Sequence, residues 1–340
     1  MIKKTAVLIG FGGMGKRYLK TLQLMNFKIL AICEKRENFL LNIKKKSNII
    51  LTTDYKKLLH IKADLLCLAS NTHSRVKILK EFIRKKNIKK IITEKPLATN
   101  FSDCLKIFKL VKKNKIRLNV NTHRTFSPNY LMVKKIFLKK KEKITSFFIN
   151  SPSAGLGNMG STFFDIGLFF LDAEPRSIVG EIDRTNTINP RGKKFKDPGG
   201  FGTVFFRDNK KMFFDLSENT GLPYVLNIKS KNIEVKIDEI NNKFEQISRP
   251  NLMENKPLYY YLFRPEQKRL KLKHKFDVIK MTKYSIDNLF KKNFNYKNLE
   301  KSIKVMELIF ALFASSKEKK IISLPLKKRY FKKNINFAWT

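Results

Sequence analysis

At 340 residues and 39.9 kDa the chain is long enough for two domains of ordinary size, and a 42% hydrophobic content excludes wholesale disorder. Lys and Arg number 72 against 28 Asp and Glu, giving a net charge of +44, a balance that in general attracts polyanions. Only 14 of the 72 are Arg, the residue whose planar fork pairs bidentately with phosphate and guanine. The excess is lysine, accompanied by abundant Asn, Ile and Phe, so the charge reads as compositional and no specific nucleic-acid partner is expected.

Cys33, Cys67 and Cys104 have no metal-ligand spacing, so no metal is expected; the first two sit in apolar runs, where Cys acts as a small hydrophobe. That usage fits a reducing, cytoplasmic location. Met1–Lys4 followed by Thr5–Ile9 looks superficially like a signal peptide, but the apolar stretch soon meets glycines and Lys16-Arg17. No stretch approaches the ~18 uninterrupted apolar residues of a membrane span, so no membrane partner is expected.

Along the chain, the first 120 residues alternate strand and helix. Strands are expected at Thr5–Ile9, Lys28–Cys33, Asn48–Leu51, Ala63–Ala69, Lys90–Thr93 and Ile116–Val120. Helices are expected at Arg17–Met25, Ser74–Lys86 and Phe101–Lys113. The unbroken apolar run Ala63–Ala69 suits a parallel strand covered on both faces. The alternation predicts an α/β fold with a doubly wound parallel sheet, a Rossmann domain over residues 1–121.

Beyond about Thr122 the rhythm changes. Ile144–Asn150, Ile178–Asp183, Gly202–Arg207, Lys211–Leu216, Tyr224–Lys229 and Asn232–Ile237 read as strands of an open, mainly antiparallel sheet. Ser161–Leu171, Phe276–Lys291 and Leu299–Ser315 read as helices, and Ile321–Leu326 as a last strand. Residues 122–326 thus form an expected α+β domain for substrate and for homo-oligomer contacts through its sheet. Residues 327–340 are a basic-aromatic tail without a clear period.

Gly10-Phe11-Gly12-Gly13-Met14-Gly15 is G-x-G-x-x-G placed after the first strand and opening the first helix. Its glycines suit a tight turn, close approach to a pyrophosphate, and helix–strand packing. Glu34 ends the second strand, 19 residues past Gly15, where a carboxylate accepts from the adenosine ribose diol and favours NAD; the adjoining Lys35 and Arg36 leave NADP open. Ser70, Asn71 and His73 follow the fourth strand at the carboxyl edge of the sheet, where the cofactor crevice lies.

Glu94-Lys95-Pro96 at the end of the fifth strand, with Val120-Asn121-Thr122-His123-Arg124-Thr125-Phe126-Ser127-Pro128 after the sixth, resembles the Gfo/Idh/MocA oxidoreductases. The resemblance runs nearly end to end, closing on Ser323-Leu324-Pro325-Leu326. It implies that Glu94 contacts the nicotinamide ribose and that Lys95 projects at the nicotinamide and the substrate carbinol, before a Pro96 that is usually cis. A lysine beside an oxidised nicotinamide also meets a like charge and partial desolvation, both lowering its pKa toward a useful acid/base range.

Family members typically carry Asp or Asn, three residues, His, two residues and Asp on the first helix of the second domain. Two registers fit here. One places Asn158, Thr162 and Asp165 in the pattern, with Thr162 at the histidine; the other uses Asp165, Phe169 and Asp172, with Phe169 there. The first leaves room for the helix before Glu174-Pro175 and matches the Gly-Leu-x-Asn-x-Gly-Ser form of members acting in cell-surface polysaccharide synthesis. Neither supplies a histidine. Lys95, Thr162 and Asp165 are therefore the catalytic candidates, and His123, Arg124, Asn158 and Thr162 the substrate-binding ones. The expected function is an NAD(P)-dependent oxidoreductase of a sugar or nucleotide-sugar carbinol or ketone. The alternatives are a dinucleotide-binding regulator or scaffold with lost chemistry, and a basic nucleic-acid binder, which no motif supports.

Overall fold

The structure is a computed structural model and describes residues 3–44, 48–152, 155–183, 192, 195–218, 221–253, 256–257, 263–335 and 337. Six parallel strands, β1 (Thr5–Ile9), β2 (Lys28–Cys33), β3 (Ile50–Thr52), β4 (Leu65–Leu68), β5 (Lys90–Thr93) and β6 (Arg117–Val120), form one sheet in the order β3-β2-β1-β4-β5-β6. The order reverses at β1, so the crevice between β1 and β4 opens at their carboxyl ends, where a doubly wound sheet takes its ligand.

Both faces are covered, which explains the unbroken apolar strands. Leu66 and Leu68 of β4 join one core with α3 (Thr72–Lys85) and α4 (Phe101–Lys113), while Leu65 and Cys67 join the other with α1 (Gly13–Leu24) and α2 (Asn38–Lys44). That second layer is completed from far along the chain: Ile286 and Leu289 of α7 (Val278–Phe290) pack beside Tyr18 and Leu22. Edge strand β6 is covered rather than left open. Its Val120 N–H donates to Asn298 Oδ1 (2.8 Å) at the start of α8 (Lys297–Glu318), and Asn119 Nδ2 donates to the Ser285 carbonyl (2.9 Å).

The second sheet has nine strands, β7 (Ser146–Asn150), β8 (Pro175–Ile182), β9 (Gly200–Phe206), β10 (Lys211–Asp215), β11 (Val225–Lys229), β12 (Ile233–Asp238), β13 (Lys243–Ser248), β14 (Glu266–Arg269) and β15 (Ile322–Ser323). Their order is β14-β13-β12-β11-β7-β10-β9-β8-β15, antiparallel except for the β7–β10 pair. One face buries Phe147, Met212, Val204 and Phe206 against α6 (Ser161–Leu171), α8 and α5 (Pro128–Lys139). The other leaves Phe148 and Phe213 stacked at 4.7 Å and Phe201 48% exposed. The tail packs inward: Ile335 N–H donates to the Thr99 carbonyl (2.8 Å), and the Phe337 ring is buried. Among the described residues no helix is long and apolar enough to cross a membrane.

Candidate active site

Helix α1 begins at Gly13, four residues before the apolar period does, because the glycines wind into its first turn. Gly10 takes φ +88°, and a Cβ there would lie 2.5 Å from the Ala69 backbone just past β4. A Cβ on Gly15 would lie 2.1 Å from the Gly10 carbonyl oxygen. Both positions therefore require glycine, one for conformation and one for space. Gly12 caps the helix without a side-chain acceptor, so the first N–H groups of α1 face the mouth of a cleft of about 1020 Å³.

At one end of this cleft Glu34 Oε2 accepts from the Phe11 N–H (2.7 Å), and Oε1 from Arg36 N–H (3.1 Å) and Nε (3.0 Å). Burial works against its charge, but the Arg36 guanidinium and these N–H groups outweigh it and hold the carboxyl below its usual range. Arg36 in turn lies over the Phe39 ring at 4.0 Å.

The opposite end is built around Lys95, whose peptide bond to Pro96 is cis. Beside it, Glu94 Oε1 accepts from Tyr18 (2.7 Å) and Asn121 Nδ2 (2.8 Å), which pins this carboxylate at the ends of β5 and β6. Lys95 Nζ donates to the backbone oxygen (2.9 Å) and Oδ1 (2.5 Å) of Asn158, on a single π-helical turn, Leu156–Gly160, that leads into α6. Burial brings the Lys95 amine down to about 8; Glu94 and Asp197 oppose the fall, while Arg124 and Arg75 add to it. His123, Arg124, Asn158 and Thr162 line the same end. Neither ring nitrogen of His123 has a hydrogen-bond partner among the described residues, and burial, then Arg124 and Lys95, hold its pKa well below the usual histidine range. It is a neutral imidazole at ordinary pH.

Residues 4–122 match the family model described as Oxidoreductase family, NAD-binding Rossmann fold, that of Gfo/Idh/MocA. Over this third of the chain the sequence is similar to the Gfo/Idh/MocA family. Its cofactor is accordingly NAD, and the family is one of oxidoreductases. Solved structures share the whole architecture. An NAD-binding oxidoreductase from Klebsiella pneumoniae is 13% identical, with 96% of this chain and 100% of that one covered and a TM-score of 0.80. An oxidoreductase from Agrobacterium radiobacter, in complex with NAD+, L-tartaric acid and magnesium, is 15% identical over 95% and 98% at a TM-score of 0.76. Levoglucosan dehydrogenase, in complex with NADH and levoglucosan, is 13% identical over 95% and 100% at 0.78. At these identities the likeness is one of fold. No curated protein matches the sequence.

Against the Gfo/Idh/MocA resemblance, the cleft gathers Gly10, Gly12, Gly13, Met14, Glu34, Ser70, Asn71, Glu94 and Lys95. Phe11 and Gly15 serve it from behind, Phe11 with its ring in the core and its N–H on Glu34. His73 is exposed and off the cleft, 6.4 Å from the Phe195 ring. Asn71 does double duty, since its Oδ1 caps α3 by accepting from the Ser74 N–H (3.0 Å). Asp165 is also off the cleft: it lies one turn below Thr162, buried, and accepts from Lys301 Nζ at 3.0 Å. Burial raises its pKa and Lys301 opposes the rise, an arrangement that ties α6 to α8. Three contributors escape sequence reasoning. Arg17 and Phe195 line the cleft, and Asp197 supports it from the β8–β9 connection. Arg17 stood one turn beyond the glycines, a readable position; Phe195 and Asp197 lie in a stretch with no period at all.

Proposed function

We propose that the chain is an NAD-dependent dehydrogenase or reductase of a sugar carbinol, nucleotide-linked rather than free, with a role in cell-surface polysaccharide synthesis. The observation that carries this reading is the position of Lys95 Nζ, held by Asn158 at the cleft end shared with Thr162 and His123. NAD supplies a hydride acceptor, and the glycine cradle, which any Cβ at Gly10 or Gly15 would fill, fits its pyrophosphate. Glu34 receives the adenosine ribose diol. Glu94 has both protein donors on Oε1, which directs Oε2 to the second ribose. Lys95 accepts the carbinol proton in oxidation and returns it in reduction. Thr162, standing where the family carries histidine, donates a hydrogen bond to the carbinol but cannot hold its proton near neutral pH. Arg17 lines the cleft with Lys95, and this positive character supports an anionic substrate, the Arg124 charge being matched by Glu239.

Two solved structures of similar fold hold levoglucosan and L-tartaric acid, both compounds with several hydroxyl-bearing carbons, which suits a carbinol substrate. The test is a screen of UDP- and dTDP-sugars against free sugars, following NADH by absorbance. Turnover with nucleotide sugars is the expected result. Tight NADH binding with no turnover across the screen would favour the regulator or scaffold reading, for which the missing histidine is the one supporting observation.

Cofactor choice gives a second expected result. NADH should bind at least about tenfold more tightly than NADPH, because Glu34 takes the diol and repels a 2′-phosphate. Glu34→Ser removes that repulsion and releases Arg36, so the preference should shrink or invert. Fluorescence titration with both cofactors checks it, and equal affinities in the native protein would show that Lys35 or Arg36 overrides Glu34. We further propose that the exposed sheet face bearing Phe148, Phe213 and Phe201 pairs two copies of the chain. Light scattering should return twice the chain mass, and Phe213→Lys should halve it.

A further inference from the structure

The turn that holds Lys95 is itself held from one side by two residues. Asp197 accepts from the Gly157 N–H through Oδ1 (2.7 Å) and from the Asn158 N–H through Oδ2 (3.0 Å). The next carbonyl, that of Pro198, accepts from the Leu156 N–H at 2.9 Å. Three successive N–H groups, the orphan donors that open a helical segment, thus all end on the β8–β9 connection. Asp197 is buried, with 8% of its surface exposed. Gly155 is shaped around it: φ is +85°, and a Cβ there would lie 2.2 Å from the carboxyl carbon. A Gly155 side chain and this carboxylate exclude each other.

We infer that Asp197 is a positioning residue for Lys95: it fixes the turn whose two Asn158 oxygens orient the amine, and its charge favours the protonated amine. The inference rests on reading Lys95 as the acid/base group. With two N–H bonds committed to Asn158, the remaining tetrahedral position on Nζ carries either the third proton or the lone pair. A fixed Asn158 therefore gives proton donor and proton acceptor the same direction.

The charges around the amine come from every side. Glu94 and Asp197 favour the ammonium, Arg124 and Arg75 oppose it, and the buried His123 stays neutral. Burial raises Asp197 to about 7, with the Gly157 and Asn158 N–H groups and Lys95 opposing the rise, so aspartate and lysine titrate as neighbours. Near pH 8 the aspartate is mostly ionised, and removing its charge must lower the pH at which Lys95 loses its proton.

Competitive acetylation with acetic anhydride across pH 6–10, with Lys95 followed by peptide mass spectrometry, reads this directly in the intact protein and needs no substrate. The native midpoint is expected near 8. In Asp197→Asn, which keeps the shape and one acceptor, it should fall by about 0.5–1 pH unit. Asp197→Glu, which keeps the charge, should restore most of that shift. An unmoved midpoint in Asp197→Asn that still binds NADH overturns the inference. So does a native midpoint at the ordinary lysine value of about 10.4, a result that requires no variant to fold. Because the readout is protonation, a failed substrate screen leaves it standing, and the two readings fail separately.

Discussion

Lys95→Ala is expected to lower turnover by about 10²–10⁴-fold while leaving NADH affinity within a few-fold. The magnitude is that of a well-placed general base, which accepts the proton as C–H cleavage develops charge on the carbinol oxygen. The other catalytic and substrate-binding candidates near it are poorer proton acceptors. Thr162 is a hydroxyl, His123 is held neutral by burial and by three cations, and Asp165 is ion-paired to Lys301 beneath the cleft. Binding should survive, because in the proposed reading the pyrophosphate and the ribose diols are met by the glycine loop, Glu34 and Glu94 instead. Lys95→Arg should fail nearly as badly, since a guanidinium gives up no proton at ordinary pH.

The same assignment fixes the direction of the pH dependence. Sugar oxidation needs the neutral amine, so its rate should climb as pH rises through about 8; reduction needs the ammonium and should fall through the same value. Thr162→Ala, which removes a hydrogen bond but no proton carrier, should cost less than Lys95→Ala in either direction. Stopped-flow turnover at several pH values checks all three variants. Full activity in Lys95→Ala, or a profile flat between pH 7 and 9, would remove Lys95 from the mechanism.

How far the sequence discloses this site depends on how far each group lies from its partners along the chain. Gly10, Gly12, Gly15 and Glu34 belong to one strand–turn–helix–strand unit, so their spacing carries their geometry. Lys95 was readable only through Glu-Lys-Pro, the motif that carries the resemblance to the Gfo/Idh/MocA oxidoreductases. Asp197 meets Asn158 only because residues 197 and 198 lie against the turn that leads into α6, and neither periodicity nor motif marks it. The same holds for layers. Helix α7 reads as part of the second domain by chain order, yet its Ile286 and Leu289 complete a face of the first sheet.

Some misses were of a different kind. Helix α5 announces itself through Ser127 at the N-cap and Pro128 at the first turn, a signal present in the chain but absent from its apolar period. Strand β14, Glu-Gln-Lys-Arg, is exposed at every position and pairs only with β13 at the sheet edge, so it has no alternation to read. The tail looked unpatterned because its anchors are single residues. Phe337 fills the space left by Gly157, where a Cβ would lie 2.4 Å from the ring.

The largest stability loss is expected at Glu239, remote in sequence from every motif. Arg124 Nε donates to its Oε2 (2.8 Å), Tyr130 donates to Oε1 (2.9 Å), and the Tyr224 hydroxyl donates to Oε2 while receiving Arg124 Nη2 at 3.0 Å. Most of this is buried: Arg124 is 7% exposed, Glu239 3% and Tyr130 1%, with Tyr224 half-buried. The network joins the loop after β6, at the edge of the cleft, to the end of β12. Glu239→Leu would leave a buried guanidinium with no counter-charge and two tyrosine hydroxyls with no acceptor. Arg124 cannot escape by losing its proton. Burial alone would depress its pKa, yet Glu239 holds it above the usual guanidinium range, and even the free group stays charged throughout the working range. Breaking such a pair from one side costs about 3–5 kcal/mol, a large part of a typical domain's stability. Replacing both partners, as Arg124→Met with Glu239→Leu, should recover much of the loss, because desolvation of the charges then disappears with them. Urea denaturation of the native protein, the single variant and the pair gives the three free energies. A loss below about 1 kcal/mol in Glu239→Leu would mean that water reaches the guanidinium and that the network does not fix the loop after β6 to the second sheet.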